Sequence, residues 1–151
     1  MMKKNTLTLL SLSGIVLIFT SLLNGCAEKQ DLSQKIEEQL TGTWQIEEIL
    51  ALPVIDRSPA HFIFSDENKV AGSASCNNIS TSYTLDSRKK TLSFQAVAAT
   101  RKMCESALMD QETRFLSALE RVSRVEIQQN ILYLYNEHNE RMFSASKTNS
   151  K

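Results

Sequence analysis

The sequence predicts an α+β domain, a curved antiparallel sheet or partly open β-barrel of seven to eight short strands with one helix packed on it. Three observations carry this. Short runs of alternating apolar and polar residues, divided by turn signals, recur along most of the chain. Only the segment after Cys104 carries apolar residues at helical spacing over several turns. The length of 151 residues, 42% apolar and 23% charged, fits one small domain and excludes two of ordinary size.

The elements follow in order. Thr43–Leu50 opens with alternation at Trp44 and Ile46, a strand signal. A turn-rich stretch with both prolines, Pro53 and Pro59, leads to a second strand over His61–Ser65. Asp66-Glu67-Asn68 reads as its turn, and Lys69–Cys76 as a third strand whose Gly72 signals a bulge or close packing. Ser82–Leu85 and Thr91–Phe94 are short strands. From Leu108 to Val122 the apolar positions 108, 109, 115, 116, 119 and 122 share one helical face. Strands resume over Val122–Gln128, Ile131–Tyr135 and Arg141–Ala145, separated by turns at Gln129-Asn130 and Asn136–Glu140. Curving the sheet into a barrel, with the helix over one end or gap, protects its edges best.

The N-terminus reads as an address. Lys3 and Lys4 precede a mostly apolar stretch, Leu7 to Leu23, that carries five Ser/Thr residues and a Gly. Its 17 residues are at the bottom of the length a bilayer core demands, so a cleaved signal is preferred to a permanent span. It ends in Leu23-Asn24-Gly25-Cys26, which resembles the lipobox of bacterial lipoproteins. That resemblance implies a diacylglyceryl group on the Cys26 thiol, cleavage before Cys26 and acylation of the new amine. Several acyl chains make such an anchor effectively permanent, whereas one holds only marginally. Ala27 resembles an outer-membrane sorting signal, so the expected location is the cell envelope, at the outer membrane facing the periplasm. The chain then divides into a signal peptide over 1–25, a lipidated tether over 26–39, a domain over 40–146 and a disordered tail over 147–151. Within the tether, Asp31 and Gln34 could cap a short helix carrying Leu32, Ile36 and Leu40. A solvated spacer is preferred, since three apolar residues bury little area.

Charge and cysteine count narrow the class further. The 17 basic and 17 acidic residues cancel, and beyond residue 25 the balance is net −2. A mildly acidic domain has no field to gather nucleic acid. Three cysteines are an odd number for an exported protein. With Cys26 given to lipid, Cys76 and Cys104 remain as an even pair in an oxidising compartment, which favours a disulfide over a reactive thiol or a metal site. The two histidines, His61 and His138, stand at no ligand spacing from either cysteine. Closing a loop of that length would contribute about 3.6 kcal/mol.

Several motifs in this order are similar to those of META domains, the group that includes the heat-shock lipoprotein HslJ. Leu40-Thr41-Gly42-Thr43-Trp44 resembles the L-x-G-x-W opening, and Phe62 and Phe64 match the second-strand phenylalanines. The run Val70–Asn77 resembles the V-x-G-x-x-G-C-N segment, and Thr100-Arg101-Lys102-Met103-Cys104 the T-R-x-M-x-C segment, one residue shorter. Glu112, Phe115, Leu116 and Leu119 match the helix, and Leu132 and Leu134 the penultimate strand. The resemblance spans 40–145. It implies the same Cys76–Cys104 pairing and supplies no catalytic residue. Ser75 stands where the family usually has Gly, which implies ordinary strand geometry or local strain.

No residue is assigned a catalytic, cofactor-binding or metal-ligating role. The chain holds no G-x-S-x-G elbow, Gly-rich phosphate loop or H-E-x-x-H motif. Glu112 is the most informative polar residue, because it shares the stripe of Leu108, Phe115 and Leu119. A carboxylate there needs a backbone amide or an arginine such as Arg101 or Arg114. His61 and His138 read as structural or solvated, and Arg88-Lys89-Lys90 as a solvated turn with contact to lipid headgroups or an acidic partner as the alternative. The expected function is therefore an envelope lipoprotein that is not an enzyme. Its domain would bind a protein or a small apolar ligand, in envelope stress or assembly. The alternatives are a small hydrolase using Glu112 with His61, and a lysozyme-inhibitor-like module.

Overall fold

The computed structural model describes residues 36–148. The signal segment, Cys26, Asp31, Leu32 and Gln34 lie outside the described residues. Ten strands follow one another among the described residues: β1 (Gly42–Ile49), β2 (Leu52–Pro53), β3 (His61–Phe64), β4 (Lys69–Ser73), β5 (Asn78–Asp86), β6 (Thr91–Phe94), β7 (Ala98–Ala99), β8 (Arg124–Gln128), β9 (Ile131–Tyr135) and β10 (Arg141–Lys147). One helix, α1 (Ser106–Leu119), stands between β7 and β8.

Eight of these strands form an antiparallel barrel in the order β1-β3-β4-β5-β6-β8-β9-β10, and β10 returns to pair with β1. The two-residue strands β2 and β7 are additions on β1 and β5. Closure is uneven. The β1–β10 ladder runs from Trp44↔Lys147 to Ile49↔Phe143, while β6 and β8 share only Thr91↔Arg124. The helix is inserted in the chain between the two strands of this thin seam and packs against β1 and β10.

The barrel follows from alternation. Along β5, Ile79, Thr81 and Tyr83 are buried and the residues between them exposed. The sequence reading begins this strand at Ser82, because Asn78–Thr81 is polar apart from Ile79. Pairing of Lys69↔Ser82 through Ser73↔Asn78 with β4 supplies what local pattern does not. Gly72 marks close packing: a Cβ there would stand 2.1 Å from the carbonyl oxygen of His61 on β3. The Gln129-Asn130 turn has both residues at positive φ, 49° and 65°, the geometry of a tight hairpin turn.

The two ends differ. At one, α1 lies across the opening and pushes Phe115 inside, 5.1 Å from Phe62 and 5.0 Å from Phe143 between ring centroids. At the other, residues 36–40 form a helical segment that is seated on the barrel. Leu40 is fully buried, its carbonyl accepts from Trp44 Nε1 at 2.7 Å, and the carbonyl of Gln39 accepts from Lys147 Nζ at 2.6 Å. The spacer reading therefore fails for 36–39, which belong to the folded body. The tail reading fails likewise for 147–148: Lys147 ends β10, and the Thr148 amide donates to the Thr43 carbonyl.

Candidate functional site

The interior is filled. Trp44, Phe62, Phe64, Phe115 and Phe143 are at most 1% exposed, and Leu92, Leu119, Leu132 and Leu134 pack with them. Rings contact in a cluster, Phe64 on Phe62, Phe62 on Phe115 and Phe143, and Phe115 on Phe143, at 5.0 to 5.8 Å. Aromatic packing of this kind contributes beyond its buried area.

Polar chemistry gathers at the end that α1 covers. Cys76 and Cys104 are joined as a disulfide. Beside it Asn77 donates its amide to Glu112 Oε2 at 2.7 Å and its side-chain Nδ2 to Glu112 Oε1 at 3.0 Å. Asn77 Oδ1 accepts from Thr100 Oγ1 and from the Lys102 amide at 2.8 and 2.7 Å. Glu112 thus has a backbone amide partner, as its position demands, and the partner side chain is Asn77 rather than Arg101 or Arg114. Immediately before Glu112, Gln111 is fully buried. Its Oε1 accepts from the Ile55 amide at 2.7 Å, and its Nε2 donates to Ser58 Oγ and Ser75 Oγ. All its bonds are to the loop before β3 and the turn after β4. Ser75 has φ 111°, so a side chain occupies the left-handed region where the family carries glycine, and strain is the outcome.

Gln111 is the residue that sequence reasoning misses. The readable signal was its four-residue spacing to Phe115 and Leu119, which the adjacent Glu112 obscured. The hydrolase pairing finds no bond: His61 Nδ1 contacts the Pro59 carbonyl at 2.8 Å, while Glu112 bonds Asn77. His138 faces Glu137 in an exposed turn. Among the described residues no cluster of three metal-ligand side chains occurs.

At the opposite end a groove of about 610 Å³ runs between the 36–41 segment and the β3–β4 and β5–β6 hairpins, lined by Glu37, Glu38, Thr41, Asp66, Asn68 and Tyr83. Burial first, and the Glu37 and Asp66 carboxylates after it, push the Tyr83 phenol above its ordinary range. On the outer wall, Tyr135 stands in register between Arg124 and Arg141. The Arg124 guanidinium lies 4.1 Å over the Tyr135 ring, and Arg141 pairs with Glu48 at 2.7 Å.

The family model described as META domain matches residues 37–149. No curated protein matches the chain. Solved structures share the fold. A DUF4847 family protein from Bacteroides vulgatus has 15% identity and a TM-score of 0.58, over 77% of this chain and 99% of that one. A protein from Burkholderia xenovorans has 21% identity and a TM-score of 0.58, over 82% and 88%. A third, solved by NMR, has 23% identity and a TM-score of 0.59, over 74% and 93%.

Proposed function

This chain belongs to the META-domain family, and from that premise we propose that it is a non-catalytic interaction module, anchored in the cell envelope through lipid on Cys26. Its partner is a protein held on the outside of the barrel, rather than an apolar ligand held within. One observation carries this choice: the core space that a ligand would need is occupied by Trp44 and four phenylalanines, each at most 1% exposed. The outer wall supports it, since Tyr133, Tyr135, Arg124 and Arg141 are the residue types that dominate protein contacts. Outer-membrane placement follows from the lipobox-like Leu23-Asn24-Gly25-Cys26 and from Ala27. A part in envelope stress or assembly follows from the resemblance to the heat-shock lipoprotein.

The test has two arms. Mass spectrometry of the native protein should find a diacylglyceryl group at Cys26 and no residue before it, and Cys26→Ser should abolish that processing. An unmodified Met1 would end the anchoring reading. Native mass spectrometry of gently extracted protein should show no bound fatty acid. Stoichiometric copurifying lipid beyond the anchor would end the choice of a protein partner.

A further inference from the structure

We infer that the tip of the β5–β6 hairpin, Arg88-Lys89-Lys90, rests on anionic lipid headgroups; this builds on the anchored reading above. The first support is where the chain enters the fold. Residues 36–40 are fixed to the barrel through the carbonyls of Gln39 and Leu40. Between Cys26 and that seat lie residues 27–35, which reach at most about 35 Å when fully extended. A lipid on Cys26 therefore holds this end of the barrel within about 35 Å of the bilayer, nearer to the anchor than the disulfide end.

The second support is the hairpin itself. β5 pairs with β4 only as far as Lys69↔Ser82, then continues to Asp86 with β6 alone. The overhang stands beside the entering chain, where Ser87 Oγ donates to Glu37 Oε1 at 3.0 Å. Its tip is pre-shaped: Asp86 Oδ1 accepts from the amides of both Arg88 and Lys89 at 3.1 Å. Arg88, Lys89 and Lys90 are all exposed, and the one carboxylate in the turn is occupied by those amides, with Lys89 Nζ 3.5 Å from its other oxygen. Other charges of this end are engaged or set in the groove. Lys147 is bound to the Gln39 carbonyl, Lys69 pairs with Glu67, and Glu37, Glu38 and Asp66 line the groove. Those acids repel an anionic surface, so contact is made through the hairpin and not through the groove. A cation near an anionic leaflet strengthens association by about fivefold, an effect confined to a Debye length.

The experiment uses the full anchored protein, purified from membranes and reconstituted into vesicles of phosphatidylcholine alone or with about 30% phosphatidylglycerol. A membrane-impermeant amine reagent then reports on each lysine by mass spectrometry. Lys89 and Lys90 should react at least about fivefold more slowly on the anionic vesicles, recovering in high salt. Lys102, at the far end, should react equally on both. Equal rates for Lys89 and Lys90 on the two vesicles, with diacylglyceryl confirmed on Cys26, would overturn this inference alone. Absence of lipid on Cys26 in the same sample would overturn the anchoring reading and this inference with it. Lys69, which stands at the same end, should also react more slowly on the anionic vesicles, and Arg88→Gln/Lys89→Gln/Lys90→Gln should remove that difference. A difference that persisted would also overturn the inference.

Discussion

Three side chains at the disulfide end set most of what single substitutions will do. Gln111 satisfies one buried amide and two hydroxyls at once. Gln111→Ala leaves the Ile55 amide without its partner and opens a void, so it should destabilise by about 2–4 kcal/mol in denaturant melts. Glu112→Ala strips both acceptors from Asn77 and should cost about 1–3 kcal/mol. Melting unchanged within error would remove Glu112 from the structural framework. Ser75 separates strain from bonding. Ser75→Ala keeps the left-handed backbone and loses the hydroxyl, whereas Ser75→Gly loses the hydroxyl but relieves the backbone. The glycine variant should therefore be the more stable of the two by about 1 kcal/mol. Tyr83 gives a pH test. Its phenol titrates above the ordinary tyrosine value, because the folded state favours the neutral form. The stability it adds is complete below the unfolded value near 10 and fades as pH rises through the folded one. In an alkaline spectrophotometric titration, one of the three tyrosines should ionise late. At this scale the sequence announced Glu112, whose stripe position was visible. It hid Gln111 and the φ of Ser75, which exist only once the loop before β3 and the turn after β4 come together.

The elements were largely legible because alternation and helical spacing are local. β3, β6 and β9 lie where the residue pattern places them, and the helix is displaced by two or three residues. What was not legible depends on pairing. The first half of β5 is polar and becomes a strand through β4. β2 and β7, two residues each, have no pattern of their own and exist as additions to β1 and β5. The sequence favours a solvated tether, because three apolar residues bury little. Leu40 sits in the core, its own carbonyl is held by Trp44 and that of Gln39 by Lys147. Gly72 marks a close approach of β4 to β3. A methyl group there meets backbone rather than a movable side chain, so Gly72→Ala should cost about 3 kcal/mol or leave the domain unfolded. Normal yield and an unchanged melt would show that β3 and β4 can part without loss.

For the molecule as a whole, the barrel and the disulfide act on different ends. Cys76 and Cys104 are 28 residues apart and tie the segment before α1 to the β4–β5 turn. Reduction should lower stability by roughly 3.5 kcal/mol, about 15 °C of melting temperature for a domain of this size. Asn77 still holds Thr100 and Lys102 after the bond opens, so circular dichroism should show strand content retained below the new transition. The pairing of β1 with β10 has a consequence for biosynthesis. The strand that emerges from the ribosome first must wait for the strand made a hundred residues later before the cylinder can shut. Long-range zippering of this kind is slow, and until it happens the aromatic interior has no wall on one side. A nascent chain with this topology therefore cannot seal its core until its last strand is synthesised.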